Sequence, residues 1–442
     1  MTTAPPYFLA GNYAPVTEEL TTRELPVTGA IPPELAGWYL RNGPNPHDVA
    51  RGHWFFGDGM IHGVRLAEGR AVGYRNRWVR TSTFTGDARP TTGALDESLA
   101  AGPANTHVVR HAGRILALVE SSYPYEITAE LYTVGCYDFG GKLRTAMTAH
   151  PKTCPATGEL HFFGYSPRAP FLTYHRADAA GELVISRPID VPASTMMHDF
   201  SLTARHVVFL DLPVVYTPAP PGSDLMPYRW DETYRARVGV MRRDDPYGEV
   251  RWLDVNPCYV FHTLNAHDDA DGRIVLHVLR YLRRFDDEQS AHPHAATLWR
   301  WTVDLAAERV HEEQLDDRTG EFPRIDDRRT GLPAAHGHVT TTRVGADGQH
   351  GAITRYDLRT GAAVSHEFGG GQVPGEAAFV PADDTPDGPG WLVTYVFNPA
   401  TNTSDLVILD ADQLAADPVA TVHLPTRVPF GFHGNWIPDA EA

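Results

Sequence analysis

Positive charge is scarce in this chain of 442 residues: 38 Lys and Arg stand against 55 Asp and Glu, a formal net charge of −17. The basic residues are scattered, whereas a polyanion is bound through a concentrated basic face, so nucleic acid is excluded as a partner. Cysteine is rarer still. Cys136, Cys154 and Cys258, the three present, match neither a CxxC pair nor a Cys/His zinc spacing. That excludes a disulfide framework or a structural zinc module and suits a reducing compartment. No run of 18 apolar residues occurs, and Met1-Thr2-Thr3-Ala4-Pro5-Pro6 has neither a basic nor an apolar leader segment, so a cytoplasmic protein is expected. The Pro-rich residues 218–221, followed by Leu225, Met226, Tyr228 and Trp230, are the candidate for peripheral membrane contact; the competing reading is a loop packed on its own domain.

Familiar catalytic signatures are missing as well. His311-Glu312-Glu313-Gln314 begins like the zinc-gripping HExxH, but Leu315 stands where the second histidine must be. Gly141-Lys142 lacks a phosphate loop's other marks, with Cys136 at the first glycine position and Leu143 in place of Ser or Thr. Gly369-Gly370-Gly371 does not continue as GxGxxG, and there is no GxSxG elbow.

What the chain does have is material for a large core: 42% hydrophobic residues, with 9 Trp, 18 Tyr and 18 Phe. After a Pro- and Thr-rich arm over residues 1–30, short apolar runs recur between Gly, Asp and Pro turns. Examples are Gly37-Trp38-Tyr39-Leu40-Arg41, Ile115-Leu116-Ala117-Leu118, Val207-Val208-Phe209-Leu210, Ile274-Val275-Leu276 and Leu406-Val407-Ile408-Leu409. The first of these is expected to stop at the turn residues Asn42-Gly43-Pro44-Asn45-Pro46. Only Leu409 to Leu414 suggests a helical turn. The pattern predicts an all-β fold, and many short strands in one long chain favour radial repetition over a single sandwich. With 39 Gly and 36 Pro spread evenly and no linker block, residues 1–442 read as one domain.

Among the 22 histidines, four sit where a strand is expected to end: His150 in Thr148-Ala149-His150-Pro151-Lys152, His198 in Met197-His198-Asp199, His262 in Phe261-His262-Thr263, and His433 in Phe432-His433-Gly434. Pro151 biases His150 toward extended backbone. Their wide separation excludes a local clip, but a closed toroidal sheet could bring all four to its axis. Spacing alone does not choose them, because His336-Gly337-His338 and His292-Pro293-His294 place pairs on one strand face equally well.

Taken together, the ordered motifs Leu40-Arg41-Asn42-Gly43-Pro44-Asn45-Pro46, Phe56-Gly57-Asp58-Gly59-Met60-Ile61-His62, Ala104-Asn105-Thr106, the His150, His198, His262 and His433 segments, Glu321-Phe322-Pro323 and Pro374-Gly375-Glu376-Ala377-Ala378-Phe379-Val380 resemble the carotenoid cleavage oxygenases. That family includes stilbene-cleaving enzymes and the retinoid isomerase of the eye. The resemblance implies a seven-bladed β-propeller with a helical and loop cap over an axial Fe(2+) held by His150, His198, His262 and His433. Glu120, Glu321 and Glu376 would accept hydrogen bonds from the outer ring N–H of three of these histidines. Thr106 would lie beside the iron's vacant position.

The activity implied is Fe(II)-dependent cleavage of a C=C bond in a lipophilic conjugated substrate, with O2, into two carbonyl products. Stilbene-cleaving relatives usually carry a lysine immediately before the first of these glutamates, whereas this chain has Val119. An apocarotenoid or carotenoid is therefore expected ahead of a stilbene or styrene-type phenol. Two other readings share the fold: a non-oxidative iron isomerase, and a propeller that only binds ligands and for which the histidines are incidental.

Overall fold

The computed structural model describes residues 7–47, 53–87, 98–218, 226–285, 296–345 and 348–439, with the backbone alone at 343–345 and 348–350. Antiparallel sheets follow one another along the chain as seven blades. Blade 1 holds Thr21–Arg23, Gly37–Pro44, Gly59–Ala67, Arg70–Trp78 and Gly434–Pro438. Blades 2, 3 and 4 open on His107–His111, Lys152–Thr153 and Ser201–Leu202. Blades 5 and 6 open on Tyr259–Asp268 and Gly320–Arg324. Blade 7 is built from Val373–Pro374, Ala378–Pro381, Gly390–Asn398, Thr403–Asp410 and Ala420–His423. The fold is a seven-bladed β-propeller.

The burial pattern explains why each blade stands as it does. Tyr259–Asp268, the opening strand of blade 5, is buried at its first eight positions, whereas the closing strand Arg309–Gln314 alternates exposed and half-buried residues. A strand covered on both faces reads as a continuous apolar run, and one facing water on one side alternates. The opening strands of blades 4, 5 and 6 contact one another in turn, and Gly434–Pro438 of blade 1 contacts His107–His111 of blade 2 and Ala378–Pro381 of blade 7, so these strands form the inner ring. The core is correspondingly divided among the blade interfaces. One cluster around Tyr39, Val64, Val393 and Ile408 joins blades 1 and 7, another around Leu116, Leu118, Phe162 and Leu160 joins blades 2 and 3, and the largest, centred on Trp301, Tyr259 and Val238, joins blades 4 to 6.

The ring is closed twice. The C-terminal strand Gly434–Pro438 pairs with Gly37–Pro44, and the N-terminal Val27–Gly29 completes blade 7 on Ala420–His423. Thr21–Arg23 and Val27–Gly29 of the N-terminal arm are thus edge strands rather than a free extension.

Two sequence expectations change here. The first strand does not stop at Asn42 but runs to Pro44, because Asn42, Gly43 and Pro44 pair with Ile61, Met60 and Gly59. Leu409 to Leu414 is no helical turn: Leu409 belongs to Thr403–Asp410 and the residues after Asp410 form bends and turns. Among the described residues the cap is loop with little helix, Ser82–Thr85 being its one α-helical turn.

No helix among the described residues is long and apolar enough to cross a membrane. In the candidate apolar lip, Met226 and Tyr228 are buried in the core of blades 4 to 6 and Trp230 packs against it; residues 219–225, with Leu225, lie outside the described residues. His292 and His294 lie outside them too.

Candidate metal centre

All seven inner strands contribute to one site. His433 directly precedes the inner strand of blade 1, Thr106 that of blade 2, and His150 and His198 stand two and three residues ahead of those of blades 3 and 4. His262 lies in the inner strand of blade 5, Glu321 in that of blade 6, and Glu376 between the two short inner segments of blade 7. His150, His198 and His433 therefore stand just ahead of inner strands rather than at their ends, and His262 lies within one.

Local irregularity aims two of these side chains. The ladder of blade 5 jumps from Val260 opposite Arg280 to Thr263 opposite Val278, so His262 sits in a bulge. A second jump, between Glu321 and Arg324, surrounds Glu321, and Phe322 within it takes the left-handed conformation at φ 57°. Bulges of this kind re-aim side chains at functional sites.

One nitrogen from each of His150, His198, His262 and His433 lies within 4.8 Å of the others. The Nε2 atoms of His150 and His198 are 3.0 Å apart, and the His150 ring centroid is 4.5 Å from that of His433 and 4.9 Å from that of His262.

The opposite ring nitrogens face carboxylates. His262 Nδ1 donates to Glu321 Oε2 at 2.5 Å and His433 Nδ1 to Glu376 Oε1 at 3.0 Å. His198 Nδ1 lies 2.5 Å from Glu120 Oε2, off the line of an ideal hydrogen bond. Each carboxylate is itself held: Tyr165 donates to Glu120 at 2.7 Å, Tyr281 to Glu321 at 2.8 Å, and the Gly434 amide to Glu376 at 2.7 Å.

His150 is the exception. Its amide donates to Thr148 Oγ1 at 3.1 Å, and the carbonyl of the residue before it, Ala149, accepts from His107 Nδ1 at 2.8 Å.

Burial, reinforced by the neighbouring imidazoles, holds His150 and His433 well below the ordinary histidine range. Burial also pushes His262 down, but the Glu321 carboxylate overrides it and leaves His262 raised. Glu321 itself is lowered: its burial works against ionisation, and His262 and the Phe322 amide more than compensate.

These observations carry the fit to a cation. His262 Nε2 is buried with no hydrogen-bond partner, and the carboxylates that accept from Nδ1 of His262 and His433 leave the Nε2 lone pairs of both rings available to a metal. Buried imidazole nitrogens of this kind suit a divalent transition metal. The rings of Phe261, 5.1 Å from His198, and Phe322, 5.4 Å from His433, wall the cluster.

Thr106 is 8% exposed and its carbonyl accepts from the His433 amide at 3.1 Å. Gly434 follows His433 where an added Cβ would collide with the Tyr39 hydroxyl. Of the other histidine pairs, His338 is buried in blade 6 and stacks on Phe379, outside the cluster. Tyr165, Tyr281, Arg324 and His107 have no local signature in the sequence that marks them for the site, and Asp199 and Lys152 stand out there only as neighbours of His198 and His150.

A seven-bladed propeller with a buried cluster of four imidazoles able to hold a metal ion is the class that fold and site define. The chain belongs to the carotenoid cleavage oxygenase family and is an enzyme of that family: residues 13–438 match the family described as retinal pigment epithelial membrane protein. It is 40% identical to a carotenoid cleavage oxygenase of Mycobacterium tuberculosis over 98% of this chain and 97% of that one. Against the carotenoid 9,10(9',10')-cleavage dioxygenase 1 of Phaseolus vulgaris it is 31% identical, covering 99% of this chain and 90% of that one. Among solved structures, the lignostilbene dioxygenase of Pseudomonas brassicacearum superposes with a TM-score of 0.88 at 27% identity, over 99% of this chain and 100% of that one. Cobalt-substituted Synechocystis ACO gives 0.84 at 26% identity, over 96% and 97%.

Proposed function

We propose that the protein is an Fe(II)-dependent dioxygenase that cleaves one C=C bond of an apocarotenoid or carotenoid with O2 into two carbonyl products. The observation that carries this is the cluster of His150, His198, His262 and His433, with carboxylates facing three of its rings. The names of the curated relatives supply the substrate class. Bound Fe(II) would supply a redox-active centre for O2 activation with no ionised protein ligand in its inner sphere.

The chain's own residues do the rest. Glu321 and Glu376 accept hydrogen bonds from Nδ1–H of His262 and His433, and Glu120 faces Nδ1 of His198, which keeps the three Nε2 lone pairs directed inward. Burial of the Tyr165 and Tyr281 phenols, together with the Glu120 and Glu321 charges, pushes both well up, so they act as donors to those carboxylates. Phe261 and Phe322 exclude water beside the histidines. Thr106 limits what approaches the open side. No protein acid or base is required, and no external reductant enters the balance because both oxygen atoms of O2 end in the two carbonyl products.

The test is a panel of apocarotenoids and carotenoids given to iron-loaded protein under 18O2. Two carbonyl fragments are expected, each carrying one 18O atom in place of 16O. Unlabelled products of unchanged mass would show an isomerase instead, and no turnover with any member of the panel would overturn the proposed substrate class.

A stilbene or styrene-type phenol is the second reading, favoured by the likeness to the lignostilbene dioxygenase. Val119, beside Glu120, is buried at 8% exposure and offers a phenol no ionic partner. Val119→Lys is expected to raise the ratio of kcat/KM for a hydroxystilbene to that for an apocarotenoid by about tenfold, the worth of one modest polar contact. An unchanged ratio in a folded, iron-loaded variant would count against this assignment.

A further inference from the structure

We propose that Asp199 is a positioning residue that fixes three of the four histidines relative to one another; the inference rests on their reading as ligands of one metal. Asp199 follows His198 and is 2% exposed. Its Oδ1 receives the Phe200 amide at 2.7 Å and Lys152 Nζ at 2.8 Å. Its Oδ2 receives the amide of Thr263 at 2.8 Å and the Thr263 hydroxyl at 3.0 Å. Lys152 stands two residues after His150, and Thr263 directly follows His262. One carboxylate thus ties the inner strands of blades 3, 4 and 5 at the points where their histidines leave the backbone.

The blade 5 bulge shows why the tie is needed. The ladder does not run through His262, so sheet pairing alone leaves that residue's direction underdetermined, and the Thr263 amide bonds to Asp199. A second link joins blades 3 and 4 where Thr148 Oγ1, which receives the His150 amide, lies 3.3 Å from the His198 carbonyl.

Charge balance with Lys152 accounts for Oδ1 of Asp199 and leaves the two Thr263 bonds to Oδ2 unexplained. Nor is bulk stability a sufficient account: a buried ion pair costs desolvation that apolar packing of the same volume avoids, and its best-attested use is to specify geometry. His150 is also the histidine without a carboxylate on its ring, so its placement depends on main-chain neighbours, of which Lys152 is the charged one.

Asp199→Asn tests this. Its amide presents an N–H donor toward either Lys152 or Thr263, so one of the two ties must break while the side-chain volume is kept. The expected result is a folded propeller whose Fe(II) dissociation constant rises at least about tenfold. The thermal stabilisation gained on adding Fe(II) shrinks accordingly, by the linkage between binding and folding. The electron paramagnetic resonance spectrum of the ferrous nitrosyl complex broadens or shifts, and kcat falls with KM little changed.

Asp211→Asn is the control. It breaks the comparably buried pair to Arg237, 2.7 Å away in blade 4, and is expected to lower stability with metal affinity and spectrum unchanged. If Asp199→Asn fails to fold, Thr263→Val, which removes only the hydroxyl donor, is expected to shift affinity and spectrum in the same direction by a smaller factor. Wild-type affinity and spectrum in a folded variant, with only the metal-free melting temperature reduced, would overturn the proposal. Affinity and spectrum are read without substrate, so an error in the cleavage reading leaves them interpretable, whereas a failure of the wild type to bind Fe(II) would refute the ligand reading itself.

Discussion

His198→Ala is expected to lose metal binding and the proposed alkene cleavage together. His198 Nε2 is 3.0 Å from His150 Nε2, and its ring fills the space between Glu120 and Phe261. Removing it takes one donor from the four and leaves Glu120 with Tyr165 as its remaining contact at the site. Loss of an outer carboxylate typically costs a metal site about 10- to 100-fold in affinity or activity, and loss of a direct ligand is expected to exceed the top of that range. The propeller itself should survive, because its core lies between blades, in clusters to which His198 does not belong. Metal analysis of the purified variant, with circular dichroism and product mass spectrometry on the same preparation, checks all three. A folded, iron-free variant that still cleaves at the wild-type rate would refute the reading of His198 as a ligand and of the cleavage as metal-dependent.

The strands were legible because their chemistry is local. Apolar runs such as Val207-Val208-Phe209-Leu210 and the turns around them fixed an all-β protein, and their number in one chain pointed to radial repetition. The blade count came from family resemblance, since the blades share shape without a readable repeat. Asn42-Gly43-Pro44 misled because turn-forming residues were read without the partner strand that holds them extended. The four histidines were distinguishable from His336 and His338 only by their motifs, since their convergence depends on ring closure, a property of the whole chain. The supporting shell was the least legible. Tyr281 reaches Glu321 across 40 positions and Lys152 reaches Asp199 from the next blade; no local pattern encodes such contacts.

Glu376 gives the second large effect, and its geometry sets the direction. The carboxylate is 2% exposed. It accepts from His433 Nδ1 on one oxygen, and from the Gly434 amide at 2.7 Å and Arg324 Nη1 at 3.3 Å on the other. All three partners are donors. In Glu376→Gln the new NH2 must face one of these sides. Turned toward Gly434 and Arg324, it sets donor against donor in a buried place. Turned toward His433, it forces Nδ1 to accept, which moves the ring proton to Nε2 and closes the lone pair a metal would use. Either outcome weakens iron retention, by roughly 10- to 100-fold, read as the rate of Fe(II) loss to a chelator. Glu376→Ala goes further, because Arg324 is then left buried with Asp327 as its remaining carboxylate. Breaking a buried pair from one side costs about 3–5 kcal/mol, so this variant should also melt at lower temperature without metal, which Glu376→Gln does to a lesser degree. Full iron retention in Glu376→Gln would mean that His433 is oriented by its neighbours Thr106 and Asn42 through the backbone, and that the carboxylate serves the fold rather than the metal.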